Sequence, residues 1–274
     1  MPDILEKIGF FEPAVHEVGA APLEVSDLTV SYNGDVALNR VSFTLEPGER
    51  VAVVGPNGAG KSTLFKVIAG VLNPTGGEVR VAGCQPSSHI CIAYVPQRSD
   101  VDWSFPVTVE DVVMMGRFGK LGLLRRPGRK DRALVQACLR TVGLDDLADR
   151  QISELSGGQQ QRMFIARALA QEAQLVLMDE PLNGLDVSAQ ERILEILDDL
   201  QAQGVTVMVA THDLSQAADY FDRVMLLNRD LLGIGSASEV FTSGNLRRAY
   251  GGHLRLVETD DGLMVLNDTC CGGE

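Results

Sequence analysis

The sequence predicts an α/β protein built around a parallel β-sheet. Three apolar runs, residues 51–54, 175–178 and 205–210, support this fold class. Short continuous apolar runs are typical of strands that are buried on both faces of a parallel sheet. Helical patterns at 60–70 and 187–203 alternate with these runs, and strand–helix alternation favours an α/β architecture.

The N-terminal part of the chain has a different pattern. Residues 1–22 are interpreted as an extension ahead of the folded domain. From Leu23 to Leu45 the apolar residues fall in short β-type runs that are separated by Asn33-Gly34. An Asn-Gly pair between such runs is a strong signal for a β-hairpin. We therefore expect an N-terminal antiparallel β subdomain in front of the parallel core.

The segment between the first two apolar runs is dominated by helical patterns, over about residues 98–172. Thr108, with Glu110 and Asp111 behind it, has the features of a helix start. Ser156 precedes a second long helical pattern in the same segment. This part of the chain is interpreted as a helical subdomain that is inserted into the α/β core.

The main domain is expected to span residues 23–250. Near its end, residues 236–239 (SASE) form a capping box, which predicts one more short helix. Residues 254–266 have period-two apolar patterns on either side of Asp261-Gly262, and these patterns predict a terminal hairpin. Residues 251–274 are therefore assigned to a C-terminal hairpin and tail.

Composition narrows the functional classes. The net charge of −13 over 274 residues argues against a nucleic-acid-binding protein, which needs a basic surface. Five cysteines without framework spacing are consistent with a reducing compartment. Cys84, His89 and Cys91 lack the closed spacing of a structural metal site, so core cysteines and a loop histidine are favoured. No stretch reaches the roughly 18 apolar residues of a membrane helix.

A glycine-rich loop lies between the first apolar run and the helix that follows it. Residues 55–63 read GPNGAGKST and match the pattern G-x-x-x-x-G-K-[ST] of phosphate-binding loops. Glycines let the backbone approach a phosphate closely, so that N–H groups and the helix N-terminus face the anion. Lys61 is predicted to reach the β- and γ-phosphates, and the Ser62 hydroxyl is predicted to bind Mg²⁺.

A second candidate site is the segment LVLMDEP at 175–181. Its strand ends in Asp179, which brings a carboxylate to the sheet edge where ligands bind in open α/β folds. Asp179 is predicted to hold Mg²⁺, and Glu180 is predicted to polarise the attacking water. Two acids after an apolar run are weak evidence alone, because helix N-termini often begin with acids. Together with the phosphate loop, they predict nucleotide hydrolysis.

The segment LSGGQQQR at 155–162 is a candidate for a second anion site. Ser156 is expected to cap the following helix, and Gly157 and Gly158 would let an anion approach bare backbone amides. The simplest alternative is a capped helix that binds no ligand. Two phosphate-binding faces in one chain, however, suggest that ATP is shared between two copies of the protein.

These motifs, in this order, resemble the ATP-binding subunits of ABC transporters over residues 23–250. GPNGAGKS is similar to the Walker A loop, LVLMDE to the Walker B strand and LSGGQ to the signature motif of that family. Tyr32 stands where the family stacks an aromatic ring on adenine, Gln97 resembles the Q-loop glutamine, and His212 is similar to the switch histidine. Residues 183–186 (NGLD) resemble the D-loop, with Asn-Gly where many relatives have Ser-Ala.

The resemblance implies a P-loop, RecA-like core and a division of roles among these residues. Catalysis would involve Lys61, Gln97, Glu180 and His212. Mg²⁺ would be held by Ser62, Gln97 and Asp179. ATP would be bound by Tyr32, Gly55, Asn57, Gly58, Gly60, Lys61, Ser62, Thr63, Ser156, Gly157, Gly158, Gln159 and Asp186. ATP and Mg²⁺ are therefore the expected cofactors.

The same resemblance implies partners and a location. Two copies are expected to form a homodimer that closes on ATP and docks on an integral membrane permease at the cytoplasmic face of the cell membrane. An extracytoplasmic solute-binding protein would be an indirect partner, and no nucleic acid is expected. Residues 100–106 are predicted to receive the permease, with Trp103 as a docking or packing aromatic. The basic cluster at 125–132 is interpreted as a solvated loop and helix start, with anionic lipid contact as the alternative.

The transported substrate is predicted by likeness alone. Residues 94–117 resemble the corresponding segment of bacterial manganese, zinc and iron uptake transporters more than that of siderophore or amino-acid importers. This likeness predicts import of a divalent transition metal, manganese first, with a siderophore-type or other importer as the alternative. A soluble ABC ATPase acting on DNA or ribosomes is disfavoured, because the chain has one ABC unit and no long coiled-coil insertion. A small-molecule P-loop kinase has no use for LSGGQ.

Overall fold

The structure, a computed structural model, describes residues 21–86, 91–121 and 126–251 and the backbone of two further strands at 254–259 and 262–267. Its strands are, in chain order, β1 (Leu23–Tyr32), β2 (Asp35–Leu45), β3 (Arg50–Val54), β4 (Gly76–Arg80), β5 (Ile92–Val95), β6 (Leu175–Asp179), β7 (Thr206–Thr211), β8 (Arg223–Asn228), β9 (Asp230–Gly235), β10 (Leu254–Thr259) and β11 (Gly262–Asn267). Its helices are α1 (Lys61–Ile68), α2 (Val109–Met115), α3 (Phe118–Leu121), α4 (Arg129–Thr141), α5 (Gly157–Gln171), α6 (Val187–Ala202), α7 (Leu214–Tyr220), α8 (Ala237–Val240) and α9 (Ser243–Tyr250).

Some predicted features lie outside the described residues. They are the N-terminal extension up to residue 20, His89, Arg125 of the basic cluster, Asp261 and the C-terminal tail from residue 268. None of the helices that the structure describes has the length and apolar character that crossing a membrane requires.

The central sheet has six strands in the order β5-β6-β7-β3-β8-β9. All neighbouring pairs are parallel except β8 and β9, which pair antiparallel at one edge. The three apolar runs form β3, β6 and β7, and these strands occupy the middle of the sheet, where both faces are covered. The predicted α/β class with a parallel core is therefore confirmed.

A smaller antiparallel sheet is formed by β1, β2 and β4 in the order β2-β1-β4. Tyr32 pairs with Asp35, so Asn33 and Gly34 are the two turn residues of the predicted hairpin. Both have positive φ, at 50° and 93°, as the turns that match the twist of a two-residue hairpin require. The antiparallel β subdomain is confirmed.

Two apolar layers hold these elements together. Because side chains alternate along a strand, Val51 and Val53 of β3 face a layer shared with α1 and the antiparallel sheet. Ala52 and Val54 face the opposite layer, which contains the buried residues of α5, α6 and the helical segment. Strand β3 thus packs against both layers, and this packing fixes the position of the loop that follows β3.

Two helices of the helical segment begin at the residues that were predicted to cap them. Thr108 accepts a hydrogen bond from the backbone N–H of Asp111, whose carboxylate accepts one in return. Ser156 and Gln159 form the same reciprocal pair at the start of α5. Between α2 and α5 the chain contains α3 and α4, so the helix-rich character predicted for this part of the chain is confirmed.

An ion cluster joins the helices of this segment. The Arg117 guanidinium lies 3.2 Å from Asp131 at the start of α4 and 2.6 Å from Glu172 at the end of α5. It also donates a 2.8 Å hydrogen bond to the carbonyl oxygen of Ala170. Lys120 forms a second ion pair with Glu172. One partly buried cation therefore ties the turn between α2 and α3 to the start of α4 and the end of α5.

The C-terminal elements follow the predicted order. Ser236 and Glu239 form the predicted capping box at the start of α8. The predicted hairpin is present as β10 and β11, which pair antiparallel. Gly262 is the first residue of β11 and pairs with Thr259.

Two of the three cysteines within the described residues lie in the core. Cys91 and Cys138 are buried, and burial raises the pKa of both thiols. Cys84 is exposed, so its expected core position was wrong. The reason is that Cys84 lies in the turn after β4. Ala82 and Gly83, which precede it in that turn, both have positive φ.

Candidate functional site

Four strands of the central sheet end at one edge, and predicted site residues end these strands or follow them in the sequence. The glycine-rich loop follows β3, and Gln97 lies two residues beyond β5. Asp179 ends β6, with Glu180 next, and His212 follows β7 directly. In open parallel sheets this edge is where ligands bind.

The glycine-rich loop depends on two positions that have no space for a side chain. A Cβ on Gly55 would lie 2.1 Å from the carbonyl oxygen of Leu227. A Cβ on Gly60, where φ is +97°, would lie 2.6 Å from the carbonyl oxygen of Ala37. Gly60 is the N-cap of α1 and has no side chain with which to cap the first-turn N–H groups of that helix. The loop and helix start therefore present backbone donors to an anion.

Lys61 is buried at the start of α1, with 6% of its surface exposed. Its Nζ donates hydrogen bonds to the carbonyl oxygens of Gly55 at 2.7 Å and Pro56 at 3.2 Å. Burial lowers the pKa of Lys61, and the charges of Glu180 and Asp179 oppose that shift. The ammonium is thus held inside the loop, on the side of the two carboxylates.

Asp179 is almost fully buried, with 2% exposed. Burial raises the pKa of this carboxyl, while a hydrogen bond from the Ser62 hydroxyl lowers it. The hydroxyl group of Tyr94 on β5 is buried nearby, and burial together with the charge of Asp179 raises its pKa. Ser62 and Asp179 therefore bring two oxygen donors of different types together beside the phosphate loop.

Glu180 is the centre of a polar cluster. Its Oε2 accepts hydrogen bonds from Gln97 Nε2 at 3.1 Å and from Asn183 Nδ2 at 2.9 Å. Its Oε1 lies 3.5 Å from Nδ1 of His212. The backbone of Glu180 has φ of +49°, and its N–H donates to the carbonyl oxygen of Ala210. The structure thus brings together three predicted catalytic residues, Gln97, Glu180 and His212, from three different strand ends.

One open cleft collects six of the thirteen predicted ATP-binding residues together with three predicted catalytic residues, Gln97, Glu180 and His212. It is lined by Pro56, Asn57, Gly58, Gly60, Lys61, Ser62, Thr63, Gln97, Glu180, Asn183, His212 and Tyr250. Gly55 and Asp179 are not among its lining residues, although the carbonyl oxygen of Gly55 accepts a hydrogen bond from Lys61. Tyr32 is 45% exposed at the end of β1 and is not among the residues that line the cleft.

The signature residues lie on a second cleft of the same chain. This cleft is lined by Ser156, Gly157, Gly158, Gln159 and Asp186, together with Arg98, Arg162 and Arg192. Asp186 caps α6, where its Oδ1 accepts a 2.9 Å hydrogen bond from the N–H of Ala189. Within a single chain, the structure does not bring these residues to the phosphate loop.

A short polar link joins the segment after Gln97 to the signature helix. Arg98 Nε donates a 2.7 Å hydrogen bond to Gln160 Oε1 on α5. Trp103 Nε1 donates to the carbonyl oxygen of Arg98 at 3.0 Å, and its ring meets Phe164 edge-on with centroids 5.7 Å apart. Of the two roles predicted for Trp103, the structure therefore contains the packing contact.

Sequence reasoning missed three residues that contact the site. Asn183 lies in the segment compared with the D-loop, and its departure from Ser-Ala was the available signal. Tyr94 and Tyr250 carried no signal, because a tyrosine in a strand or at a helix end is usually a packing residue. Among the described residues, no group of three or more His, Cys, Asp or Glu is arranged to hold a metal.

Comparison with known proteins identifies the family. The model of the ABC transporter family matches residues 38–183. The chain belongs to this family. As an ABC protein it binds ATP, and it is an ABC-type ATPase, so the resemblance predicted from the motifs is confirmed.

Several ABC relatives are similar over nearly the whole domain. A chelated iron transport system membrane protein of Yersinia pestis, YfeB, is 48% identical over 88% of this chain and 83% of its own length. The manganese transport system ATP-binding protein MntB of Halalkalibacterium halodurans is 45% identical over 89% of this chain and 98% of its own length. The zinc transport system ATP-binding protein TroB of Treponema pallidum is 48% identical over 86% and 89%.

Solved ABC structures have the same fold. A putative metal-chelate type ABC transporter in an inward-facing conformation has a TM-score of 0.77 at 30% identity, covering 91% of this chain and 99% of the matched chain. A dimeric ATP-binding cassette bound to ADP and phosphate has a TM-score of 0.69 at 29% identity, covering 78% and 98%.

Proposed function

We propose that the chain energises an ABC importer of a divalent transition metal, manganese, zinc or iron, by ATP-driven closure of a homodimer. The observation that supports the ATPase part is the convergence of Lys61, Asp179, Glu180 and His212 at one edge of the parallel sheet. The transport part is supported by relatives at 43–48% identity whose names specify manganese, zinc or iron transport.

ATP binds in the cleft with its phosphates against the glycine-rich loop. Backbone N–H groups from Gly58 to Thr63, together with Gly55 and Asn57, surround the β- and γ-phosphates, and the Lys61 ammonium exchanges its two carbonyl contacts for phosphate oxygens. Tyr32 stacks on the adenine, for which its ring is sufficiently exposed.

The oxygen donors beside the loop fit Mg²⁺. Magnesium is bound through one or two carboxylates, hydroxyl oxygens and substrate phosphates, and it keeps several waters. The buried Asp179 carboxylate and the Ser62 hydroxyl already lie within hydrogen-bonding distance of each other, and Gln97, which lines the same cleft as Ser62, adds an amide oxygen. When bound there, the ion neutralises charge on the transferred phosphoryl group.

Hydrolysis is carried out by the polar cluster around Glu180. The Glu180 carboxylate orients and polarises the attacking water, and His212 contacts the γ-phosphate from the end of β7. Gln97 connects this cluster to the segment that leads to the helical subdomain. Lys61 compensates the negative charge that develops on the leaving phosphates.

Dimer closure completes each site. Ser156, Gly157, Gly158 and Gln159 of one subunit bind the γ-phosphate that is held by the partner's glycine-rich loop, and Asp186 contacts the same interface. The separation of the two clefts within one chain supports this pairing. Closure on ATP and reopening after phosphate release then give the cycle its two states.

A membrane permease receives the motion of this dimer. Residues 100–106 dock on it, and Phe105, which is 57% exposed, offers an apolar contact. This docking places the chain at the cytoplasmic face of the cell membrane, with an extracytoplasmic solute-binding protein delivering the metal to the other side. For this arrangement we assign residues 1–22 to an N-terminal extension, 23–250 to the ATP-binding domain and 251–274 to the C-terminal hairpin and tail.

A siderophore-type importer is the second candidate. The likeness to a putative metal-chelate type transporter favours it. Accumulation of radiolabelled Mn²⁺, Zn²⁺, Fe²⁺ and an iron chelate in cells lacking this chain separates the candidates. We expect loss of free-metal uptake with chelate uptake unchanged, and the reverse result would replace the metal-ion proposal with the chelate one.

Two variants test the ATPase roles. Glu180→Gln is expected to form an ATP-dependent dimer without turnover, and near-normal phosphate release by this variant would remove the assignment of Glu180. Ser156→Arg is expected to bind ATP as a monomer without activity, because the large side chain blocks the opposite nucleotide. Loss of monomer ATP binding in that variant would argue against a role in trans.

A further inference from the structure

The side-chain amide of Asn183 is a direct partner of Glu180. Its Nδ2 donates a 2.9 Å hydrogen bond to Oε2 of that carboxylate. Asn183 is exposed and also lines the ATP cleft. A polar side chain at an exposed loop position normally faces water, so a short bond to a partly buried carboxylate calls for a specific reason.

The two oxygens of Glu180 have different surroundings. Oε2 accepts from both Asn183 and Gln97, and two donors occupy the two lone pairs of one carboxylate oxygen. Oε1 has His212 at 3.5 Å and no amide donor among the described residues. Because Oε2 is fully engaged, Oε1 is the oxygen that is left to accept a hydrogen bond from water.

The backbone holds Asn183 in place for this contact. The N–H of Asn183 donates to the carbonyl oxygen of Glu180 at 3.3 Å, which closes a four-residue turn. Gly184 follows with φ of +69°, so the chain turns away directly after the amide. At the other end of the turn, Glu180 is fixed with positive φ by its bond to Ala210. The carboxylate and the amide are therefore opposite ends of one constrained turn.

We propose that Asn183 is a positioning residue for ATP hydrolysis, which holds Oε2 of Glu180 so that Oε1 faces the water that attacks the γ-phosphate. This inference rests on the proposed role of Glu180 and adds a residue outside the predicted catalytic set. Gln97 and Asn183 share the task, but only Asn183 belongs to the same turn as the carboxylate.

The test compares two isosteric variants of the purified chain. Asn183→Leu removes the donor, and Asn183→Asp removes it and adds a negative charge beside Glu180. Both are expected to lower kcat about tenfold to a hundredfold, the range of a hydrogen bond to a charged group, with the larger loss for Asp. Affinity for a fluorescent ATP analogue is expected to stay unchanged, because Asn183 contacts the carboxylate and not the phosphates.

Gln203→Glu is the matched control. It makes the same amide-to-carboxylate exchange just beyond the far end of α6, about 26 Å along the helix from Asp186, where the side chain of Gln203 donates to the carbonyl oxygen of Asp199. Its turnover is expected to equal that of the natural chain. Equal thermal midpoints for all variants show that the turn tolerates the changes.

A double-mutant cycle separates positioning from a merely structural role. In the Glu180→Gln background, Asn183→Leu is expected to cause no further loss of the residual single-turnover rate, because the carboxylate through which it acts is absent. An equal loss in both backgrounds would overturn the inference. So would a natural kcat in Asn183→Leu, or a loss of nucleotide affinity that accounts for the whole effect.

Failure of the inference and failure of the proposed function give different results. Natural turnover in Asn183→Leu with no turnover in Glu180→Gln overturns the role of Asn183 and leaves the ATPase assignment of Glu180 standing. Turnover retained in Glu180→Gln overturns both.

Discussion

Replacing Lys61 by methionine tests whether the glycine-rich loop is an anion site that is built before ATP arrives. The ammonium lies inside the loop on two carbonyl oxygens, those of Gly55 and Pro56, and is nearly inaccessible to water. Methionine keeps the length of the side chain and removes the charge. The variant therefore isolates what the buried cation contributes with and without nucleotide.

The nucleotide-free chain is expected to change little in stability. Removing a buried charge in favour of an apolar side chain gains up to about 4 kcal/mol. Leaving buried carbonyl oxygens without a donor costs about 1–3 kcal/mol each. With mid-range values, the two carbonyl oxygens together cost about 4 kcal/mol and the removal of the charge returns about 2.5 kcal/mol, so a net loss of about 1.5 kcal/mol in the free energy of unfolding is expected.

The loss of affinity for ATP is the clearer effect of the substitution, because no gain opposes it. Losing one charge-assisted contact to phosphate, about 2 kcal/mol, raises Kd about 30-fold. With ATP at about a hundred times the natural Kd, bound nucleotide stabilises the natural chain by about 2.7 kcal/mol and the variant by about 0.9 kcal/mol. For a domain of this size the difference corresponds to about 4–7 °C in Tm.

Thermal unfolding with and without a non-hydrolysable ATP analogue and Mg²⁺ measures both quantities. Lys66→Met is the control, because Lys66 lies on the same helix, is partly exposed and forms a 3.8 Å ion pair with Asp100. The control is expected to keep the full nucleotide-induced shift. If Lys61→Met also kept the full shift, the proposed contact between this ammonium and the phosphates would be refuted.

Three further predictions concern the adenine contact, the helical segment and pH. Tyr32→Ala is expected to raise Kd for ATP about fivefold to 150-fold, since stacking on a base contributes about 1–3 kcal/mol; calorimetric titration that finds an unchanged Kd would contradict it. Arg117→Met is expected to lower the free energy of unfolding by about 1.5–3 kcal/mol, because Asp131 would lose a partly buried cation while Glu172 would keep its ion pair with Lys120; urea unfolding with a loss near zero would argue otherwise. Burial alone would raise the pKa of Asp131, but the N–H of Gly128 and the Arg117 guanidinium outweigh it and lower that pKa. The stability that Asp131 contributes is therefore present above its ordinary pKa of 3.8 and is lost as the pH falls through the lowered pKa. In acid titrations, the free energies of unfolding of the natural chain and of Asp131→Asn should differ above that window and converge below it.

The elements of the fold that were predictable are those with a local signal. The runs that became β3, β6 and β7 are apolar throughout, and the helix starts at Thr108 and Ser156 carry their own capping residues. The antiparallel edge of the central sheet gave no such signal, because the direction of β9 is set by its turn from β8 and by tertiary pairing. Local chemistry thus predicted the core strands but not the edge.

The candidate site divides in the same way. The glycine-rich loop and the Asp179-Glu180 pair were predictable, because each is a contiguous motif with its own chemical reason. The hydrogen bond from Asn183 to Glu180 depends on a positive φ at Glu180. Residues other than glycine seldom adopt a positive φ, and nothing in the sequence predicts it at this position. The contact of Arg98 with Gln160 spans 62 residues and requires the folded helical segment.

The two separate clefts of the chain have a consequence for how its activity depends on dilution. If each ATP is enclosed by one cleft from each of two copies, the rate per molecule of the free chain falls as its concentration falls, because the second half of every site must arrive by diffusion. Fixing two copies side by side on a common membrane partner replaces that encounter with a local concentration, which for short tethers is on the order of millimolar. Assembly alone would then raise turnover, before any transported ion is involved.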